Sequence, residues 1–339
     1  MKIDKNTPLA PFTTFNVGGR ADYFCIARSY ADIEKAVAFA KEKGIPILPL
    51  GEGSNILVSD EGFRGLVMKV ELYGVETRER ADEIEVVAGA GEVWDDLVAL
   101  CVEKGFFGLE NLSGIPGTVG AAPIQNIGAY GKEVSSCVAW VEVIDMTDGK
   151  TRTLTGDECE FGYRDSIFKR EKGKNFFVAR VAFRLSKEPV VDLSYRDVRE
   201  FFDAQRVKNP TPREVRMAVL EIRSRKFPDL ELVGTAGSFF KNPVIDKAHF
   251  ESLQKKYPDI KGFSTPSGEV KVSLAWVIEH VCHMKSARVG DAGLAPNQSL
   301  VVCNFGNATA RDIRMLAEKI VTSVKEKTNI DIVPEVRHV

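Results

Sequence analysis

The spacing of apolar positions changes repeatedly along the chain, and each change predicts an element. Residues 21–27, ADYFCIA, form a short apolar and aromatic run of the kind a strand carries. Over 31–44, Ile33, Ala36, Val37 and Ala40 recur at helical spacing and the run ends on glycine, which predicts an amphipathic helix. IPILPL (45–50) reads as a short buried strand running directly into GEGSN, and RGLVMKV (64–70) as another, so the first seventy residues are expected to form a small α/β unit. A second unit is expected to begin near Asp82, with a strand at 83–91 and an amphipathic helix at 92–105. Segments 138–145, 151–154 and 175–185 predict antiparallel strands, with a Gly-Lys turn at 149–150. A helix over 210–228 opens with prolines and closes with basic residues, as its dipole favours. The remainder predicts a third, α+β unit. It has helices at 247–258 and 272–283, a strand at 299–305 and an extended end at 331–339. Its long helix over 307–329 carries Ile313, Leu316, Ile320 and Val324 on one face.

Two glycine-rich stretches interrupt this pattern. LGEGSNIL (50–57) follows a strand directly, and NLSGIPGTVGAAPIQNIGAYG (111–131) carries Gly114, Gly117, Gly120, Gly128 and Gly131 with almost no charge. Such loops expose N–H groups that can cradle a phosphate. Neither contains a Walker A G-K-[ST] or the dinucleotide G-x-G-x-x-G, so tight turns remain the plain alternative. A third stretch, GTAGSFFKNP (234–243), sets Ser238 and Lys241 between glycines and a proline. Alone it reads as a structured turn ahead of a helix starting near Asp246. Gly234 and Gly237 would let it approach a ligand closely.

Composition narrows the class. The chain has 339 residues, enough for two or three domains, with 44% hydrophobic and 28% charged residues. A net charge of -2 argues against holding nucleic acid by bulk charge. No stretch approaches the roughly 18 apolar residues of a membrane span, and the N-terminal residues lack the apolar run of a signal peptide. A cytoplasmic protein without membrane insertion is expected. Cys25, Cys101, Cys137, Cys159, Cys282 and Cys303 are scattered and read as small buried residues of a reducing compartment. Histidine occurs only at His249, His280, His283 and His338. His280, Cys282 and His283 lack the further ligands that a structural zinc wants, so no metal is expected.

Five segments occur in order: LGEGSN, GIPGTVGAAPIQNIGAYG, GYRDSIFK (162–169), GSFFKNP and PEVR (334–337). Together, from about Thr14 to Arg337, they resemble the UDP-N-acetylenolpyruvoylglucosamine reductases, also called UDP-N-acetylmuramate dehydrogenases, of bacterial peptidoglycan precursor synthesis. The resemblance implies an α+β protein. Its FAD-binding fold would be of the vanillyl-alcohol oxidase/PCMH type, built from two subdomains, with a C-terminal α+β substrate domain. The implied divisions are 1–72, with 328–339 packing back on it, then 73–226, then 227–327. TTFNVGGRAD (13–22) would open the FAD domain. FAD would be held by Gly51, Glu52, Gly53, Ser54 and Asn55, by Ser113, Gly114, Ile115, Pro116, Gly117, Gly120 and Ala121, and by Asn126, Gly128, Ala129 and Tyr130. Some relatives of that fold tether flavin through histidine. With no histidine before His249, FAD is expected to be noncovalent.

The resemblance also implies the reaction: NADPH reduces the flavin, and the enolpyruvyl double bond is then reduced to a lactyl ether. Arg164 matches the arginine that stabilises the enolate, a task suited to a forked guanidinium. Glu335 matches the glutamate that works with it, and Ser238 the serine that gives the substrate carbon its proton. In isolation Arg164 reads as a partner of Asp165, and Glu335 as a surface acid near a terminus. Tyr195, in LSYRDV, matches a substrate-covering tyrosine loop of a longer subclass. Lys226 and Asn242 match positions near the diphosphate and sugar, and Gln298 one near the nucleotide. Phe263 departs from the subclass, where a tyrosine stacks over the site. Phe239 and Phe240 are expected to anchor their segment in the core. A monomer is expected. The competing readings are another FAD-dependent sugar or alcohol oxidoreductase of the same fold, and a non-catalytic flavin or nucleotide-sugar module.

Overall fold

The computed structural model describes residues 1–79 and 83–339, so the start expected near Asp82 lies outside the described residues. The chain divides into two compact units. One comprises Met1–Thr7, Ala21–Glu52 and Arg64–Ser224; the other comprises Pro8–Arg20, Gly53–Phe63 and Arg225–Val339.

The first unit holds two sheets. In one, strands Ile3–Pro8, Arg20–Ala27, Phe63–Val70 and Ile47–Leu50 lie in that spatial order, the last two parallel. Helix Tyr30–Lys43 packs Ile33, Ala36 and Ala40 into the same core. Ser29 caps its N-terminus by accepting from the Asp32 N–H, and Gly44 ends it in the left-handed conformation at φ 64°. The other sheet is antiparallel, in the order Thr151–Thr155, Val138–Asp145, Phe176–Ser186, Glu83–Gly89, Val75–Glu79. Helix Trp94–Glu103 buries Trp94, Leu97, Val98 and Cys101 in its core, with the Trp94 ring edge-on to Phe183 at 5.7 Å. Helices Arg196–Gln205 and Pro212–Lys226 share a smaller cluster that includes Val198, Phe202, Val215, Val219 and Tyr130.

A polar staple joins the two sheets of this unit. Tyr30, on the first helix, donates to Glu142, which also receives Arg180 Nε and Nη2 at 3.0 Å each. Burial alone would raise the Glu142 carboxyl, but the Arg180 and Tyr30 hydrogen bonds outweigh it and hold the group below the usual carboxylate range. A depressed folded-state value stabilises the fold above the unfolded carboxyl's range, and that contribution is lost as pH falls through the folded value. Glu142→Gln is therefore expected to destabilise the protein by about 1–2 kcal/mol at neutral pH. It should also narrow the stability gap between pH 7 and acid, which denaturant titrations at the two pH values would read.

In the second unit, strands Gly234–Ser238, Gln298–Asn304, Ala292–Ala295 and Arg288–Val289 form an antiparallel sheet. Helix Ala310–Thr328 buries Ile313, Leu316, Ile320 and Val324, the face its periodicity predicts. Thr309 and Asp312 make a capping box at its start, and Asp60 accepts from the Ala310 and Arg311 N–H groups at 2.8 and 2.9 Å. The single helix expected over 272–283 is instead a short α turn, Leu274–Trp276, followed by a π-helical turn, Val277–Val281, closed by Cys282 N–H to the Val277 carbonyl at 2.9 Å. Of the extended end expected over 331–339, Arg337–His338 forms a strand, parallel to Ile56–Leu57.

Candidate active site

Residues 234–238 form a strand, not the turn expected from their glycines. Gly234 and Thr235 pair with Asn304 and Cys303, and the register then slips so that Ser238 faces Val301. Gly237 sits in this bulge at φ 73°, a conformation that suits glycine, and a methyl group there would meet nothing within 4 Å. Gly234 has a different reason. A methyl group there would lie 2.3 Å from the Phe15 carbonyl oxygen, so this glycine lets two backbones pack and does not free a loop. Phe239 and Phe240, 0% and 1% exposed, anchor the segment in the core. Ser238 is half-buried, and its hydroxyl makes no hydrogen bond among the described residues.

The C-terminal segment is laid against this strand's exit. Phe240 bridges Pro334, the Glu335 N–H donates to the Phe239 carbonyl at 2.8 Å, and the Lys241 N–H to the Val333 carbonyl at 3.2 Å. On the other side Asn55 Nδ2 donates to the Glu335 carbonyl at 3.3 Å, and the Arg337 N–H to the Asn55 carbonyl at 3.0 Å. Glu335 is thus fixed beside Phe239, the residue after Ser238. The second unit carries both Ser238 and Glu335, on segments whose backbones meet at Phe239 and Phe240.

Arg164 belongs to the first unit. Its backbone is left-handed at φ 53°, as are those of Asn126 at 45° and Tyr130 at 48°. Such strained non-glycine positions persist only where surrounding bonds over-determine them. Arg164 Nη1 donates to the Asn126 carbonyl at 3.3 Å and Nη2 to that of Gly128, while the guanidinium lies 5.5 Å from the Tyr163 ring centroid. Asp165 pairs with Arg170 at 2.7 Å. Asn126 was expected to hold cofactor, but its 1%-exposed side chain is engaged within the protein. Nδ2 donates to Glu133 at 2.9 Å and to the Gly162 carbonyl at 3.0 Å, and Oδ1 accepts from the Ser135 N–H. A buried amide must satisfy both ends, and here it organises the segment carrying Arg164.

The long glycine loop is locked from beneath. The Gly117 N–H donates to Glu52 Oε2 at 2.9 Å and the Gly114 N–H to Asp95 Oδ1 at 2.6 Å. The Gly120 and Ala121 N–H groups go to the Ala90 and Thr118 carbonyls. Arg216 grips Asp95 through its two terminal guanidinium nitrogens, Nη1 and Nη2, at 2.6 and 2.9 Å. Burial raises the Asp95 carboxyl, but Arg216 and the Gly114 N–H more than reverse it and hold it below the usual range. Gly51 approaches the same loop, since a methyl group there would lie 2.6 Å from Thr118 Oγ1. Lys69 Nζ donates to the Gly51 carbonyl at 2.6 Å, and burial lowers its ammonium's value. Ser113, also expected at cofactor, is fully buried and donates to the Glu110 carbonyl at 2.6 Å. Ile115 and Ala129 pack against the apolar core. Burial pushes the Tyr130 phenol up to about 12, against the opposing pull of Arg223. Asp95, Arg216 and Lys69 escaped the sequence reading, because charges spaced this far along the chain carry no local signature.

Among the expected substrate contacts, Tyr195 precedes helix Arg196–Gln205, 39% exposed, with its ring edge-on to Tyr130 at 5.3 Å. Lys226 ends helix Pro212–Lys226. Asn242 Oδ1 accepts the Leu274 N–H at 3.0 Å, and Gln298 opens its strand. Phe263 is 56% exposed in strand Gly262–Ser264.

The residues present fit an FAD-type cofactor. The long loop carries no charged residue and is held by hydrogen bonds, and among the described residues Thr14 Oγ1 is a buried polar atom without a partner, beside the first glycine loop. No three His, Cys, Asp or Glu side chains gather to hold a metal ion among the described residues. The six cysteines are free and buried, and no helix of the described residues is long and apolar enough to cross a membrane.

Comparison with known proteins agrees over the whole chain. An FAD binding domain family matches residues 21–155, and the C-terminal domain of UDP-N-acetylenolpyruvoylglucosamine reductase matches 228–339. The chain is 42% identical over 337 residues to the UDP-N-acetylenolpyruvoylglucosamine reductase of Chromobacterium violaceum, covering 99% of this chain and 98% of that one. It is 38% identical over 336 residues to that of Pseudomonas aeruginosa, covering 99% and 98%. Among solved structures, the UDP-N-acetylenolpyruvylglucosamine reductase of Thermus caldophilus superposes with a TM-score of 0.70 at 24% identity, covering 100% of this chain and 99% of that one, and so shares the fold. With the relatives matched end to end at these identities, the chain belongs to the UDP-N-acetylenolpyruvoylglucosamine reductase family.

Proposed function

We propose that the chain reduces the enolpyruvyl double bond of UDP-N-acetylenolpyruvoylglucosamine, giving the lactyl ether of UDP-N-acetylmuramate, with NADPH as the electron source. The observation that carries this reading is the fixing of Glu335 beside the strand exit that presents Ser238. A glycine-bulged strand and a C-terminal clip would be an odd investment for a module that only binds. Bound FAD supplies the hydride relay between the two substrates, held by the loops around Gly51–Asn55 and Ser113–Tyr130. Glu52, Asp95 and Arg216 keep the long loop in shape.

The chain's own residues then have separate tasks. Adding hydride to the terminal carbon of the enolpyruvyl group leaves an enolate on the neighbouring carbon and its carboxylate. Arg164, pre-oriented by the Asn126 and Gly128 carbonyls, binds that carboxylate and opposes the developing charge. Ser238 delivers the proton to the carbon, and Glu335 acts with Arg164 on the enolate. Tyr195, Lys226, Asn242 and Gln298 hold the nucleotide sugar. With its Oδ1 committed to the Leu274 N–H, Asn242 would use its amide nitrogen. Phe263 offers a stacking face and no hydroxyl. Divisions at 1–72, 73–226 and 227–327 would separate the two FAD subdomains from the substrate domain, in a cytoplasmic monomer.

Purified protein is expected to be yellow and to release its flavin to the supernatant on acid precipitation, since the chain has no histidine before His249 to tether it. Flavin that stays with the pellet would contradict noncovalent binding. Mass spectrometry of the sugar product should show a gain of two hydrogens in the presence of NADPH. A sugar returned unchanged would reject the reading.

A further inference from the structure

Thr13 and Thr14 are adjacent hydroxyls with opposite fates. Thr13 Oγ1 donates within its own turn, to the Val17 carbonyl at 3.0 Å and the Ala10 carbonyl at 3.2 Å. Among the described residues, Thr14 Oγ1 is buried with no partner. A hydroxyl shut away from water and left unpaired is destabilising, and most such groups in folded proteins find a partner. The Thr14 backbone is meanwhile held on both sides. Its N–H donates to the Gly53 carbonyl at 3.3 Å, and its carbonyl accepts the Thr235 N–H at 2.8 Å. Phe15, the next residue, is fully buried with its ring edge-on to Phe239 at 6.4 Å. The backbone here is therefore fixed, and only rotation about χ1 can turn the hydroxyl to a partner. Gly53, which approaches this segment so closely that a methyl group would lie 2.3 Å from the Phe12 carbonyl oxygen, belongs to the GEGSN loop.

We infer that Thr14 is a further cofactor-positioning residue, whose hydroxyl is satisfied by donating a hydrogen bond to an acceptor atom of bound FAD. This rests on the FAD-dependent reading above. It assigns to the hydroxyl a ligand that the protein itself does not supply, and it ties the first glycine loop to the strand ending in Ser238 through one residue. The unpaired hydroxyl is then a feature of the protein without cofactor, relieved on binding.

The test uses flavin-free protein prepared by acid release and reconstituted with FAD. Thr14→Val keeps the shape and removes the hydroxyl; Thr14→Ser keeps the hydroxyl. Titration by flavin fluorescence should show FAD binding weakened roughly 3- to 10-fold in Thr14→Val, the scale of one hydrogen bond, and close to wild type in Thr14→Ser. The melting temperature of flavin-free Thr14→Val should equal or exceed that of wild type, because an unpaired buried hydroxyl has been removed. A merely structural hydroxyl would give the opposite sign. Unchanged FAD affinity in Thr14→Val overturns the inference. So does a lowered melting temperature of its flavin-free form, or slowed flavin reoxidation by the UDP-sugar at unchanged FAD affinity, which would place the hydroxyl against substrate. A wild-type protein that binds no FAD would instead reject the reading on which the inference rests.

Discussion

Ser238→Ala is expected to leave flavin reduction by NADPH near the wild-type rate and to slow flavin reoxidation by the enolpyruvyl substrate by about 10²–10⁴, the scale of positioned acid catalysis. The structure sharpens the reasoning. Ser238 ends a paired strand, its backbone opposite Val301, and the left-handed turn before it is made by Gly237. Alanine keeps the backbone pairing and leaves Gly237 in place, so the segment should fold as before. A deficit confined to one half-reaction then reads the hydroxyl and not the loop. Ser238→Cys should recover part of the rate, because a thiol keeps a transferable proton at about the same place. Stopped-flow flavin absorbance separates the halves. Equal slowing of both by Ser238→Ala would point to a disturbed flavin pocket and remove the proton-donor role.

Arg164→Lys is expected to lower the same half-reaction by about 10²–10³, the scale for losing a pre-organised charge-stabilising donor. Lysine keeps the positive charge but not the planar fork, and it cannot reach two carbonyls and a carboxylate together. The guanidinium is held by the Asn126 and Gly128 carbonyls, and a methyl group on Gly128 would lie 2.8 Å from Arg164 Nη1, so the local backbone is shaped around this side chain. Losing the bonds to the Asn126 and Gly128 carbonyls should also lower thermal stability somewhat, although the Asp165–Arg170 pair is untouched. The sugar's KM should rise as well, since the carboxylate is also a ground-state anchor. A variant with full reoxidation rate would remove Arg164 from the chemistry. Glu335→Gln should slow the same step, as its backbone is fixed through the main chain and would not move.

The sequence made the strongly periodic elements plain. Helix Ala310–Thr328 buries the face its apolar spacing predicts, and Val138–Asp145 and Phe176–Ser186 are strands where their apolar runs predict them. Elements without that spacing were not legible. Strand Val75–Glu79, with its charged VETRE, and strand Ile3–Pro8, IDKNTP, are defined by their sheet neighbours. Helix Arg196–Gln205 has two buried residues among charged ones. Strand Gly234–Ser238 looked like a turn because small residues show no alternation, and only its pairing with Gln298–Asn304 makes it a strand. Motif order pointed to Arg164, Ser238 and Glu335, but nothing local could show that Asn126 is spent on its own surroundings or that Asp95 latches the Gly114 amide. Those bonds join residues 36 and 19 positions apart and exist only once the chain has folded.

The central claim is that this chain passes electrons from a nicotinamide cofactor, through FAD, to an enolpyruvyl sugar. The most direct measurement is anaerobic. The purified yellow protein is reduced with one equivalent of NADPH until its flavin absorbance bleaches, and UDP-N-acetylenolpyruvoylglucosamine is then added with oxygen excluded. The account predicts that the flavin colour returns in full, with one UDP-N-acetylmuramate formed per flavin. Flavin that stays bleached until air is admitted would contradict it, and would mark the protein as an oxidase of another alcohol or sugar.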